Sequence, residues 1–169
     1  ELVNETSNEI ITYENRPINA VYHSTSGGKT ANNEDVWKYS KRLPYLRAVN
    51  DKNNGKDSPR ANWFYKASME EIRNKFNFNV KKISIEEQKD LRAKIILIKG
   101  ERVRKEITGN EFRRVMGYTN IFSTIFKIQE TRDGYLFRGH GSGHGVGMSQ
   151  WGANGLAKKG KNYREILNY

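Results

Sequence analysis

A chain of 169 residues with 36% hydrophobic and 29% charged side chains is long enough for one domain with a real core, and its lack of cysteine excludes both a disulfide framework and a thiolate metal site. The formal charge of +11 is unevenly placed: residues 1–35 hold two basic and six acidic groups, net −4, while residues 36–169 hold 28 basic and 13 acidic, net +15. Such a field favours a polyanionic partner, whether nucleic acid, acidic lipid surface or anionic wall polymer, and no apolar run approaches the ~18 residues of a membrane span.

Glu9–Glu14 and Ile18–His23 are β-prone runs whose junction at Asn15-Arg-Pro17 predicts a hairpin. Ser24–Thr30 is a turn-rich loop that residues 32–37 continue, and Leu43–Val49 reads as extended because a residue before proline avoids the helical region. Residues 51–62 are polar, with Gly55 and Pro59, and read as a mobile loop. Ser68-Met-Glu-Glu71 is a capping box opening a helix to about Phe76, and Ser84 with Glu87 repeats the device. Lys94–Lys99 is a buried-type strand turning at Gly100-Glu101 into a second strand over residues 102–107. Thr108 with Glu111 caps a further helix, and Thr131-Arg-Asp-Gly134 joins two strands over residues 123–130 and 135–140. A helix begins near Met148 and stops at Gly160, with Met148, Trp151, Gly155 and Leu156 on its buried face, and Asn162 caps a last one. The expectation is an α+β fold, mostly antiparallel or mixed sheet with several short helices, in which residues 1–169 form the larger C-terminal part of a single domain cut at both ends.

One stretch stands apart. From 139 to 147 every odd position is glycine, and the even ones hold His140, Ser142, His144 and Val146. Five glycines cost a helix about 1 kcal/mol each relative to alanine, so an extended segment is expected, showing bare backbone on one face and those four side chains in a row on the other. A polar row backed by bare main chain suits a ligand-binding floor or a close backbone contact; a glycine-rich surface loop is the alternative.

Nucleotide loops fail on spacing. A phosphate loop ending in Gly28-Lys29-Thr30 needs a glycine at position 23, which is His23. The dinucleotide fingerprint needs its third glycine at an odd offset from the first, and those slots fall on His144, Val146 or Met148. In an extended chain His140 and His144 lie roughly 13 Å apart, too far for one zinc ion, so a site would need the loop to curl and recruit His23; a hydrogen-bonded pocket imidazole is the default. Nucleic-acid binding has the charge but no module pattern, and no nucleic-acid partner is expected.

Two groups of strings go beyond generic chemistry. Val21-Tyr-His-Ser-Thr-Ser-Gly-Gly-Lys-Thr30, followed by Glu34-Asp-Val-Trp37 and Pro44-Tyr-Leu-Arg47, resembles the stage II sporulation protein D family, also called the amidase-enhancer family. Thr108–Gly117, Gly143-His-Gly-Val-Gly-Met-Ser-Gln-Trp-Gly-Ala153 and Tyr163–Leu167 are similar to that family's later segments, in the same order. The resemblance implies a peptidoglycan lytic transglycosylase acting in engulfment, which cleaves peptide-stripped glycan between N-acetylmuramic acid and N-acetylglucosamine to leave 1,6-anhydro ends. The alternative is a non-catalytic glycan-binding module that enhances an amidase. Either way the chain is expected to form one side of a glycan-binding groove.

The family's general acid/base is a glutamate in an Ala-Ala-Glu-Met-type helix, a string this sequence does not contain, so the catalytic residue is expected upstream of Glu1 and the chain alone is expected to be inactive. Glu34 and Asp35 are the carboxylates beside a signature loop, and Glu34 is a poor candidate for the acid because an exposed carboxyl keeps an ordinary pKa. His23, Ser24, Ser26 and Thr30 are expected as donors to sugar hydroxyls or N-acetyl groups, with Gly27 and Gly28 admitting close approach of the backbone. His140, Ser142, His144 and Gln150 are expected on the opposing wall. No cofactor or metal is assigned to this chain; some members hold zinc through residues outside it. The implied partners are glycan strands, a sporulation amidase or endopeptidase, and membrane components of the engulfment machinery. The implied location is extracytoplasmic, between mother cell and forespore, with an N-terminal membrane anchor.

Overall fold

The computed structural model of the chain describes residues 6–52 and 54–169. Its first half holds β1 (Thr12–Tyr13), β2 (Arg16–Pro17), β3 (Tyr22–His23), α1 (Asn33–Val36), β4 (Trp63–Ser68), α2 (Met69–Phe76) and β5 (Val80–Lys89). There follow β6 (Arg92–Gly100), β7 (Arg104–Thr108), α3 (Gly109–Met116), β8 (Phe126–Thr131), β9 (Gly134–Gly139), β10 (Met148–Ser149), α4 (Gln150–Ala157) and α5 (Tyr163–Leu167). The fold is α+β. Two antiparallel three-stranded sheets, ordered β4-β9-β8 and β5-β6-β7, are joined by a β1-β2 hairpin and one parallel pair, β10-β3.

The inner faces of the two large sheets and helices α2 and α3 share one core. Phe112 of α3 sits at its centre, with ring centroids 5.5 Å from Phe137, 5.7 Å from Phe126 and 6.1 Å from Phe76. Ile72, Ile96, Ile98 and Met116 are fully buried around them. Each such side chain contributes about 1.5–3 kcal/mol by leaving water, so this half is held by ordinary apolar packing.

The expected helices over 68–76, 108–116 and 162–167 form because their caps are local. Ser68 Oγ accepts from the Glu71 N–H, and the full reciprocal boxes Thr108/Glu111 and Asn162/Glu165 are made. The turn at 131–134 joins β8 to β9 as read, and α4 is followed by Gly160 in the left-handed region (φ 84°). No described helix is long and apolar enough to cross a membrane.

Other expectations are corrected. Ser84 with Glu87 opens no helix: β5 runs through both, because Ile83 and Ile85 pair with Ile98 and Ile96 and bury an apolar face that a lone helical turn would expose. The N-terminal hairpin is shorter than expected, turning at Glu14 and Asn15, both at positive φ (50° and 60°), while β3 leaves it to pair with β10. Residues 33–36 are a helical turn, and residues 43–46 are a turn closed by the Leu46 N–H on the Leu43 carbonyl, where extended chain was expected. Within the polar stretch read as a mobile loop, Asp51, Asn54 and Ser58 are buried, while Lys52, Lys56, Asp57, Pro59, Arg60 and Asn62 are exposed.

Candidate functional site

The two singled-out stretches meet. In the β3-β10 pair, Tyr22 lies beside Met148 and His23 beside Ser149. Thr25 and Ser142 exchange both backbone hydrogen bonds (2.9 and 2.8 Å), the Ala31 N–H donates to the Gly145 carbonyl (2.7 Å), and the Trp151 N–H donates to Ser24 (3.0 Å). Residues 21–31 and 139–151 are therefore one interlocked body, where facing walls were expected.

The glycine run is not extended. Gly141, Gly143, Gly145 and Gly147 all have φ between 70° and 103°, so the even-numbered side chains do not form a row. His140 is exposed, Ser142 and His144 are half-buried, and Val146 is fully buried in a small apolar cluster with Ala31 and Leu46. Composition could not separate extended from left-handed glycine. The fold selects the latter because backbone must approach backbone: a Cβ on Gly141 would lie 2.6 Å from the Thr25 carbonyl oxygen, and one on Gly145 would lie 2.5 Å from the Arg92 guanidinium.

The peptide of Val146 joins two imidazoles. His23 Nδ1 lies 3.1 Å from the Val146 carbonyl, and the Val146 N–H donates to His144 Nδ1 at 3.1 Å. His144 thus carries its proton on Nε2, beside the Tyr22 carbonyl, and His23 carries its proton on Nδ1. Burial pushes the His23 imidazolium down to about 3, opposed only by the Val146 bond and reinforced by Arg92 and His144. His144 is lowered in the same direction, first by desolvation and then by Arg113. Both rings are neutral at pH 7, with centroids 5.7 Å apart, and Trp37 lies 5.3 Å from His144. Nε2 of His23 is buried and makes no hydrogen bond among the described residues.

Three further side chains brace this arrangement, and sequence reasoning missed them. Arg92, 5% exposed, donates through Nη2 to the carbonyls of Ser26 (2.9 Å) and Lys29 (2.8 Å). It stands at the start of β6, so the tip of the β5-β6 hairpin clamps the first loop, helped by ion pairs Lys29–Asp90 and Lys89–Asp35. Asp51, 4% exposed, accepts from Ser26 Oγ at 2.7 Å and lies against Gly152 in the first turn of α4, where the helix end favours an anion. Asn33, fully buried, ties Ser40, Lys41, Leu43 and Arg47 together. Each acts across sequence gaps that no local pattern reveals; only the boundary position of Arg92 on an apolar strand offered a signal.

Of the expected sugar contacts, His23, Ser26 and Thr30 are buried and hydrogen-bond within the protein, Thr30 Oγ1 accepting from the Val49 N–H at 2.7 Å. Ser24, Ser142 and His144 are half-buried, His140 and Gln150 are exposed, and Gly27 packs against the His140 carbonyl. Glu34 accepts from Nη1 and Nη2 of Arg47 (2.7 and 2.6 Å), which hold its carboxyl down at about 2. Burial works to raise Asp35, but the hydrogen bonds from Lys89 and Asn32 leave it lowered. Neither is fitted to donate a proton at neutral pH. No three His, Cys, Asp or Glu side chains among the described residues are placed to hold a metal ion.

Beside the interlocked loops lies a groove of about 510 Å³, lined by Tyr13, Tyr22, Tyr45, Met148, Ser149 and Tyr169 among others. Its wall is largely apolar and aromatic with a few hydroxyls, a lining suited to a ligand with apolar faces and a polar rim.

No family model matches the chain. It is 33% identical over 175 aligned residues to the stage II sporulation protein D of Bacillus subtilis, an alignment covering 100% of this chain and 48% of that protein. An uncharacterised protein of Brachyspira hyodysenteriae is also 33% identical, over 100% of this chain and 46% of its own length. The amidase enhancer of Bacillus subtilis is 27% identical over 99% of this chain and 31% of that protein. The chain thus spans about half the length, or less, of the curated relatives it matches. With both signature loops present, in order and interlocked, the chain is similar along its whole length to the corresponding half of stage II sporulation protein D.

Proposed function

We propose that this chain forms the substrate-holding part of a peptidoglycan lytic transglycosylase that acts outside the cytoplasmic membrane during engulfment, on glycan already stripped of its peptides. The observation that carries the reading is the joining of the two signature loops into one surface beside an aromatic groove. Sugar rings offer apolar C–H faces for the tyrosines and hydroxyls for hydrogen bonding. Ser24, His140, Ser142, His144 and Gln150 belong to that surface and keep water access, and they are assigned the direct contacts. The buried His23, Ser26 and Thr30 hold the loops in shape.

In the reaction the C1–O4 bond of the muramyl residue breaks as a carboxylic acid protonates the leaving oxygen. The same carboxylate then takes the proton of the sugar's own 6-hydroxyl as that oxygen bonds to C1, so no water enters. Such a residue needs a raised pKa, whereas Glu34 and Asp35 beside the first loop are held ionised, and the buried Asp51 is taken up by Ser26 Oγ. The glutamate is therefore assigned to a part of the full protein outside these 169 residues, as is a membrane anchor, and the chain alone is expected to be inactive. The neutral imidazoles fit a site that binds hydroxyls without competing with the acid for its proton.

The ionised carboxylates also favour a second reading, a glycan-binding module that assists an amidase. The two part on one experiment: the intact protein is incubated with amidase-stripped glycan strands and the products are read by mass spectrometry. New 1,6-anhydro ends are expected, and fewer from a His144→Ala protein; glycan binding without anhydro product would leave only the module.

A further inference from the structure

The outer face of the β4-β9-β8 sheet carries three cations and no acid. The register sets Phe64, Arg138 and Lys127 in one row across the strands, with Lys66, Leu136 and Gln129 in the next and Ser68, Gly134 and Thr131 in the third. Lys66, Arg138 and Lys127 are exposed, and none forms an ion pair among the described residues, whereas Lys29, Lys89, Lys94, Lys158 and Lys161 each meet a carboxylate. Leu136 is 7% exposed beneath this layer, while Phe64 stands 72% exposed beside Arg138. Strands sit about 4.8 Å apart, so Phe64 and Lys127 flank Arg138 across about 10 Å. Like charges left this close on one face are unfavourable unless an anion joins them.

The same sheet leads into the candidate site: His140, two residues beyond Arg138, is exposed, and the buried face continues the connection. Gly139, the last residue of β9, pairs with Trp63 and Phe126, and Trp63 Nε1 donates to the Gly141 carbonyl at 2.9 Å.

We propose that this face is a track for anionic glycan, recognising the lactyl carboxylates left on N-acetylmuramic acid when its stem peptide is removed; the inference rests on the glycan reading above. Cleaving the muramyl amide creates one carboxylate on the sugar itself, where an intact strand has a neutral amide. Lys66, Arg138 and Lys127 meet that charge, Phe64 takes the C–H face of a ring, and Ser68, Gln129 and Thr131 reach its hydroxyls. Charge complementarity at the track would then make stripped strands the preferred ligand.

The test measures binding of the full-length protein to amidase-stripped strands and to the same strands with their carboxylates capped as methylamides. Capping is expected to weaken binding about tenfold at low salt, and the triple substitution Lys66→Gln, Lys127→Gln, Arg138→Gln to weaken binding to uncapped strands as much while losing the discrimination. A control removes equal charge from the other sheet, whose Lys82, Lys99 and Arg104 also lie in register: Lys82→Gln, Lys99→Gln, Arg104→Gln should leave the discrimination intact. Equal binding to capped and uncapped strands, equal loss in both triple variants, or displacement of glycan by a small excess of RNA or polyphosphate overturns the track. Failure of the wild-type protein to bind either strand removes the glycan reading with it, whereas equal binding to both removes the track alone.

Discussion

The sheet-and-helix half of the molecule and the loop-built half reach their shapes by different means. Around Phe112, apolar side chains on regular elements fill a single core, and the backbone is satisfied by ladders and capping boxes. Around Val146 the buried apolar residues are few, and the interior is instead His23, Thr25, Ser26, Thr30, Asn33 and Asp51. Here glycine lets main chain touch main chain, and buried polar groups answer one another. The first half should tolerate local backbone change and suffer from lost volume; the second should do the reverse.

Phe112→Ala is the sharpest blow to the apolar half. Removing a fully buried ring that packs against three others should cost about 3–5 kcal/mol, read as a fall in the urea midpoint with unchanged slope. A loss below 1 kcal/mol would mean that the core is not the single unit described. Gly141→Ala adds one methyl and is expected to cost about 2–4 kcal/mol, because the residue sits at φ 79° with Thr25 and Gly27 backbone in the way. Amide exchange should speed at Thr25 and Ser142 while the β5-β6 ladder stays protected. Uniform loss of protection in both halves would erase the distinction.

Acid probes the polar half next. His23 has a folded pKa of about 3 against an unfolded value near 6.5, so below pH 6.5 the unfolded chain gains a proton that the folded one refuses. The stability is whole above pH 6.5 and declines as pH falls toward 3; between pH 7.5 and 5 the loss is about 2 kcal/mol, a window in which ordinary carboxylates remain ionised. His144 adds to the loss in the same direction. Urea midpoints at the two pH values should converge in His23→Gln relative to wild type; an unchanged pH slope would place the imidazole in water.

The smallest effect has the opposite sign. Asp90 and Leu91 turn the β5-β6 hairpin at φ 49° and 68°, and Leu91 is 71% exposed, so its side chain gains little there. Leu91→Gly should stabilise by up to about 1 kcal/mol, the β-carbon strain relieved less the entropy of glycine, and raise the melting temperature slightly.

What was legible in the sequence follows the same division. The helices after Ser68, Thr108 and Asn162 were readable because a cap joins residues three apart, and the β8-β9 turn because Asp133-Gly134 is local chemistry. Ser84 with Glu87 misled because the same local signal was overruled by Ile83 and Ile85 finding partners on β6. The resemblance marked both loops as belonging to one site, yet it could not say that they interlock. Nor could it say that His23 turns inward, or that Arg92 and Asp51 brace the pair from 66 and 25 residues away along the chain from Ser26. The alternating glycines announced an unusual backbone; its hand came from the partner loop.

The parallel pairing of β3 with β10 has a kinetic consequence. His23 and Val146 are 123 residues apart, and the contact that joins them is two short strands with few apolar neighbours. Closing so long a loop is entropically costly and brings little burial in return, so the transition state for folding should contain the Phe112 core and lack this junction. Substitutions at the junction would then speed unfolding and leave the folding rate nearly untouched. The surface assigned to the ligand would be the last part of the molecule to assemble and the first to open.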